Sequence, residues 1–129
     1  MIKIVVACIF LILIALIAFI IVFPIIEVEG ESMFPTYHDS EFLLGYRFFP
    51  KEKLKVGDVI VYKRPSERIC VIKRIARITS SIYNENDLLF YCLGDNSQNS
   101  YDSRDYGYIP QKDIVCKIIL EQRRNRNES

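Results

Sequence analysis

The chain has 129 residues, 50% of them hydrophobic, and a formal net charge of +1. That length allows one domain plus whatever an apolar N-terminus does, and the hydrophobic content excludes a disordered chain. Setting aside Lys3, the only charged side chain before Glu27, leaves 16 basic and 16 acidic side chains in residues 27–129, a neutral domain without the electrostatic footprint of a nucleic-acid binder.

Ile4 to Phe23 is an unbroken run of uncharged residues, nearly all aliphatic or Phe. As a helix it would be about 30 Å long, the thickness of a bilayer's hydrocarbon core. The competing reading is a cleaved signal peptide, whose apolar region is usually about 7–15 residues. Cleavage after Gly30 would also leave Ser32 almost at a new N-terminus, so an uncleaved anchor is the better reading. Lys3 and the α-amino group lie on one side of the span and Glu27, Glu29 and Glu31 on the other. The basic end therefore stays cytoplasmic and residues 27–129 face the extracytoplasmic side. The expected division is an anchor helix over 1–26, a β-rich domain over 27–121 and a flexible basic tail over 122–129. Pro24 ends the span, and the steps from Phe23 to Ser32 reach at most about 30 Å, which tethers Ser32 near the membrane surface.

Glu29-Gly30-Glu31-Ser32-Met33-Phe34-Pro35-Thr36 follows. Gly30 allows a tight backbone approach, and Pro35 fixes its own φ while pushing Phe34 towards an extended conformation. A serine on such a bend can present its hydroxyl and its own N–H to one substrate carbonyl, as acyl transfer requires. Gly, Ser and Pro also make ordinary surface turns, so the octapeptide needs a partner elsewhere.

Beyond Thr36 the helical period disappears. Strands are expected at Glu41–Arg47, Val59–Tyr62, Ile69–Ile78, Leu88–Leu93 and Ile114–Leu120, with turns at Val56-Gly57-Asp58, Arg64–Arg68 and Asn84–Asp87. Gly94 to Tyr106 reads as a polar loop. Short strands with turns about every ten residues predict an all-β barrel or sandwich rather than βαβ units. Cys8 lies in the apolar span, leaving Cys70, Cys92 and Cys116. An odd number without C-x-x-C spacing argues against structural zinc and against a full disulfide framework. They read as small core residues on strands, with one bridge among the three left open. His38, the only histidine, reads as a surface turn residue.

In Arg68-Ile69-Cys70-Val71-Ile72-Lys73-Arg74-Ile75-Ala76-Arg77-Ile78, period-2 alternation puts Lys73 on the face of Ile69, Val71 and Ile75. If that face is the core face, an ammonium group points into apolar surroundings, its pKa falls, and it becomes a usable general base. The alternative is an edge strand whose lysine reaches back to solvent.

Taken together, three segments resemble type I signal peptidases, the membrane-anchored serine/lysine proteases that remove signal peptides. Gly30-Glu31-Ser32-Met33-Phe34-Pro35-Thr36 is similar to the family's G-x-S-M-x-P-T box, Val56-Gly57-Asp58-Val59-Ile60 to its G-D strand, and Lys73-Arg74 to its K-R box. Gly94-Asp95-Asn96-Ser97-Gln98-Asn99-Ser100-Tyr101-Asp102-Ser103-Arg104 matches its G-D-N-x-x-N-S-x-D-S-R box at every fixed position. The resemblance spans about residues 1–118 and implies a signal-peptidase-like β barrel or sandwich behind one transmembrane helix. It also implies Ser32 as nucleophile, Lys73 as base, and Ser100 as a hydroxyl that orients the lysine amine. Asp102 and Arg104 would form an ion pair that shapes the loop, and Asp95 and Asn96 would hold its turns. A neutral hydroxyl can aim the amine without the carboxylate that would raise its pKa.

Met33, Phe34 and Pro35 are expected to face substrate or membrane, with Phe48 and Phe49 near lipid. The resemblance implies preprotein signal peptides with small residues before the cut, a lipid bilayer and a secretion translocon as partners, and no metal or organic cofactor. Three departures stand out. Gly30 replaces a serine that supplies an oxyanion-hole hydroxyl in some relatives, although other single-span relatives also have glycine. Ile75-Ala76-Arg77-Ile78 replaces a Gly-Leu-Pro-Gly-Asp-like turn. Only residues 74–93 separate Lys73 from Gly94, which leaves a minimal catalytic core.

The self-cleaving repressor proteins share a Ser/Lys dyad but are soluble. A specialised conjugation- or pilus-processing peptidase would carry the same boxes. An inactive membrane-anchored preprotein-binding module would need none of Ser32, Lys73 and Ser100.

Overall fold

A computed structural model describes residues 1–120; the expected tail over 122–129 lies outside the described residues. Helix α1 runs Ile2–Val22, starting earlier than the uncharged run because Lys3 is tolerated in its first turn. It stops at Phe23 (φ −119°, ψ 78°), because the Pro24 ring disfavours helical dihedrals in the residue before it. No residue of α1 is buried, and it is long and apolar enough to cross a membrane.

The rest is one antiparallel sheet. Its strands are β1 (Ile25–Glu27), β2 (Phe42–Tyr46), β3 (Val59–Lys63), β4 (Cys70–Ser80), β5 (Leu88–Leu93), β6 (Ile109–Pro110) and β7 (Ile114–Leu120). Their spatial order is β1-β2-β7-β3-β4-β5-β6, with every neighbouring pair antiparallel. The expected β-rich architecture is therefore present, and three of the five anticipated strands agree to within two residues at either end. The other two, Leu88–Leu93 and Ile114–Leu120, agree at both ends.

The sheet is apolar on both faces. Along β3, Val59 and Val61 enter one cluster with Val28, Met33, Tyr37, Leu43, Ile72, Cys116 and Ile118. The alternate residues Ile60 and Tyr62 enter a second cluster with Ile75, Phe90, Cys92, Ile109 and Ile114. Period-2 alternation thus sends one strand's side chains into two cores, each buried Ile, Leu or Phe stabilising by roughly 1.5–3 kcal/mol relative to exposure.

Several readings need correction. The sheet begins at Ile25, inside the segment assigned to the anchor, because Ile25, Ile26 and Glu27 pair with Leu44, Leu43 and Phe42. The stretch 94–106 is not all loop. Ser103–Tyr106 forms one helical turn, α2, capped by Asp102 in a reciprocal box with Asp105. All four cysteines are free. Cys92 and Cys116 are core residues, but Cys70 is exposed because β4 has only begun there. Met33 is not membrane-facing: it is 1% exposed, packed into the first cluster, while Phe34 and Pro35 stay at the surface. Phe48 is exposed and Phe49 packs against the second cluster. His38 is half-buried with its ring edge-on to Phe34.

Candidate active site

The serine segment leaves β1 along a paired path. Val28 N–H donates to Glu41 O (2.8 Å) and Ser40 N–H to Val28 O (2.7 Å). Gly30 adopts φ +80°, in the left-handed region that favours glycine, and its N–H donates to Asp39 Oδ1 (2.7 Å). A turn then carries Ser32 to Thr36, closed by Phe34 N–H to Glu31 O and Tyr37 N–H to Met33 O. The Phe34–Pro35 peptide is cis.

β5 pairs with β4 only from Arg74 onward, so Lys73 itself is paired on one side, with Ile60 of β3; it is its burial that excludes the alternative of a lysine reaching back to solvent. Register pairs Lys73 with Ile60 and puts it on the face of Val71 and Ile75. Lys73 is 4% exposed, and its Nζ lies 2.6 Å from Ser32 Oγ. Its pKa is lowered. Burial is the main cause and the Arg64 guanidinium adds to it, while the Asp102 carboxylate opposes it. Arg64, which stacks over the Tyr101 ring, escaped the sequence reading because nothing in a hairpin's sequence shows which neighbour it will reach.

The start of the 94–104 stretch joins these elements. Asn96 N–H donates to Ser32 O (2.9 Å), and Asn96 Nδ2 to Glu31 O (3.1 Å). Asp95 accepts from Arg74 Nε (2.9 Å) and Nη2 (2.8 Å) and from Thr36 Oγ1 (2.5 Å). Burial pushes the Asp95 carboxyl up, but these bonds outweigh it and hold the group below the usual carboxylate range. Arg74 Nη1 also donates to Gly57 O (2.8 Å), so the Gly57-Asp58 turn aims the arginine. Asp95 and Asn96 therefore tie the loop to the serine turn and to β4, beyond the expected role of holding the loop's own turns.

Asp102 is fully buried and pairs with Arg104 (Nη2–Oδ2 2.8 Å), as anticipated. It also accepts from Gly94 N–H (2.9 Å) and Ser100 Oγ (2.8 Å). Burial raises its pKa, and the bonds from Arg104, Gly94 and Ser100 together more than reverse that, leaving it well below the carboxylate range. The Ser100 hydroxyl thus donates to Asp102, where the resemblance puts it on the lysine amine. Ser100 is nevertheless beside the serine turn, since a Cβ on Gly94 would overlap Ser100 Oγ and lie 2.6 Å from Ser32 O. α2 is fastened beneath by Ser103 Oγ accepting from Cys92 N–H (2.9 Å) and by the Tyr62 and Tyr106 hydroxyls at 2.5 Å.

A cleft of about 350 Å³ opens beside Ser32 and Lys73, between Ile26–Glu29 on one wall and Ile69–Ile72 on the other, with Met33 and Val61 also lining it. Its apolar walls and the serine–lysine contact suit an extended, weakly polar chain presented to a nucleophile. Among the described residues, no group of three His, Cys, Asp or Glu side chains could hold a metal ion.

A family model described as "Signal peptidase, peptidase S26" matches residues 1–79 and 85–121. The chain is similar to "Mitochondrial inner membrane protease subunit 1" of Schizosaccharomyces pombe, with 32% identity over 112 residues, covering 75% of this chain and 71% of that protein. It is also similar to "Signal peptidase I" of Buchnera aphidicola subsp. Baizongia pistaciae, with 42% identity over 31 residues. That match covers 24% of this chain and only 10% of that protein.

Proposed function

The chain belongs to the signal peptidase family S26, and from that premise we propose that it is a membrane-anchored serine endopeptidase that removes N-terminal signal peptides from preproteins. α1 spans the bilayer with the N-terminus cytoplasmic, and the sheet domain that begins at Ile25 is the extracytoplasmic peptidase domain. Ser32 is the nucleophile and Lys73 the general base. The observation that carries this reading is the 2.6 Å contact between Lys73 Nζ and Ser32 Oγ, with the lysine out of water.

Neutral Lys73 takes the hydroxyl proton as Ser32 Oγ forms its bond to the scissile carbonyl carbon. The Ser32 N–H and neighbouring backbone donors hold the developing oxyanion. On collapse the C–N bond breaks, and Lys73 returns the proton to the leaving amine. A water deprotonated by Lys73 then hydrolyses the acyl-enzyme and restores the serine. A lysine of lowered pKa suits this work, because more of it is neutral at a given pH. The cleft's aliphatic lining supports small apolar residues before the cut.

The test is cleavage of a labelled preprotein by the detergent-solubilised protein beside Ser32→Ala and Lys73→Ala. Product of mature length from the wild type, lost in both variants, is the expected result. Cleavage surviving in both variants would overturn the dyad. A folded wild type that leaves several preproteins intact would point to the binding module.

A further inference from the structure

The junction between α1 and the sheet is built, not linked. The last carbonyls of a helix lack intrahelical donors, and α1 has no basic residue in its final turn to satisfy them. β2 and the residue just after it supply the donors. Arg47 N–H donates to Val22 O (3.0 Å), Arg47 Nε to Ile21 O (2.9 Å), and Gly45 N–H to Pro24 O (2.9 Å). A guanidinium thus sits at the negative end of the helix dipole, at the level where α1 would leave the hydrocarbon.

The packing is equally specific. Phe23 stacks on Tyr46 with ring centroids 5.3 Å apart, and Phe49 meets Tyr46 edge-on. A Cβ on Gly45 would lie 2.8 Å from Cys116 Sγ and 3.3 Å from Pro24 Cγ, so only glycine lets the helix exit press this closely on β7. From there β1 pairs with β2, backbone pairing continues through Val28, and the Asp39 carboxylate holds the Gly30 N–H just before Ser32.

We propose that Arg47 is a positioning residue that locks α1 to the sheet, so that the Ser32 site meets membrane-embedded preproteins at one fixed level above the bilayer. The inference rests on the peptidase reading for its substrate and on the junction's geometry for the lock. A soluble peptide reaches the cleft whatever the angle between helix and sheet. A preprotein held in the same bilayer reaches it only when that angle is correct, so the two substrates separate positioning from folding.

The test uses the full chain in lipid nanodiscs as wild type, Arg47→Met and Arg47→Lys. Each is assayed on a soluble peptide spanning a cleavage site and on a preprotein embedded in the same discs. Hydrogen exchange of the Gly45 and Arg47 amides is followed in parallel. Arg47→Met should keep kcat/KM on the peptide within about twofold, lose about fivefold or more on the embedded preprotein, and exchange both amides about tenfold faster. Arg47→Lys should recover part of each loss. Equal losses on both substrates, no loss on the preprotein, or unchanged exchange would overturn the proposal. A wild type that cleaves neither substrate would instead sink the peptidase reading, and the exchange arm would then decide the lock alone.

Discussion

Gly94→Ala tests how closely the site is fitted together. The backbone at Gly94 is outside the left-handed region, so conformation is not what requires glycine there. Space is. The new Cβ would lie 2.6 Å from both Ser32 O and Ser100 Cβ, against the 3.4 Å at which ordinary contact begins. One side or the other must yield by about 0.8 Å in a closely packed interior. Overpacking of this kind costs about 1–3 kcal/mol, or roughly 5–15 °C in Tm for a domain of this size. If the serine turn yields, Ser32 leaves Lys73, and a displacement near 1 Å is expected to lower kcat/KM about 100-fold. The assay pairs a thermal melt with peptide cleavage well below the variant's Tm, so that lost rate is not lost protein. Adding Ser100→Ala removes the nearest overlapping atom, the hydroxyl oxygen, but leaves the Ser100 Cβ and the Ser32 carbonyl in the way and deletes the bond to Asp102. The double variant should therefore stay destabilised and cleave more slowly than Ser100→Ala alone. An alanine variant with wild-type Tm and wild-type rate would refute the reasoning.

Three further outcomes follow from the site's charges and burial. Asp102→Asn removes the negative charge that opposes the lowering of the Lys73 pKa, so the acid limb of the pH–rate profile should move to lower pH; a limb that moves up or stays contradicts this. Lys73→Met should abolish cleavage yet raise stability by about 1–2 kcal/mol near neutral pH, read by chemical denaturation, because it removes a buried charge. Below the lysine's lowered pKa both folded and unfolded chains are protonated and the wild type bears the full cost. Above it the folded state has released a proton that the unfolded state keeps, so wild-type stability rises with pH and the methionine advantage shrinks. Finally, a thiol reagent should label Cys70 in the folded protein but reach Cys92 and Cys116 only on unfolding. Burial hides these two thiols and pushes their pKa values up to about 12 and 11.

Long, strongly patterned segments were legible from the sequence. Leu88–Leu93 could be read because turn residues bound it on both sides, and α1 because nothing charged interrupts it. β1 was not, since three residues after a proline carry no period and gain their structure from Leu44, Leu43 and Phe42. α2 was hidden by the polar density of its neighbourhood, although Asp102 and Asp105 stand at capping-box spacing. At the site, alternation put Lys73 on an apolar face, but its burial depends on β3 beside it and on the serine turn over it, which one strand's sequence does not reveal. The partners of Asp95 lie 21 and 59 residues away, at Arg74 and Thr36. No local signal pairs them. Arg47 reads as the polar end of a strand until the helix is seen beneath it.

The long separations also set an order in time. β3 and β4 close a short hairpin, whereas Lys73–Ser32, Thr36–Asp95 and Asn96–Glu31 span 41, 59 and 65 residues. Contacts across such distances form late, after local pairing has reduced the chain entropy they must overcome. The hairpins β3–β4 and β4–β5 are therefore expected to pair before β7 joins the sheet and the 94–104 stretch docks to finish the site. In refolding, the far-UV signal of the sheet should return before cleavage does.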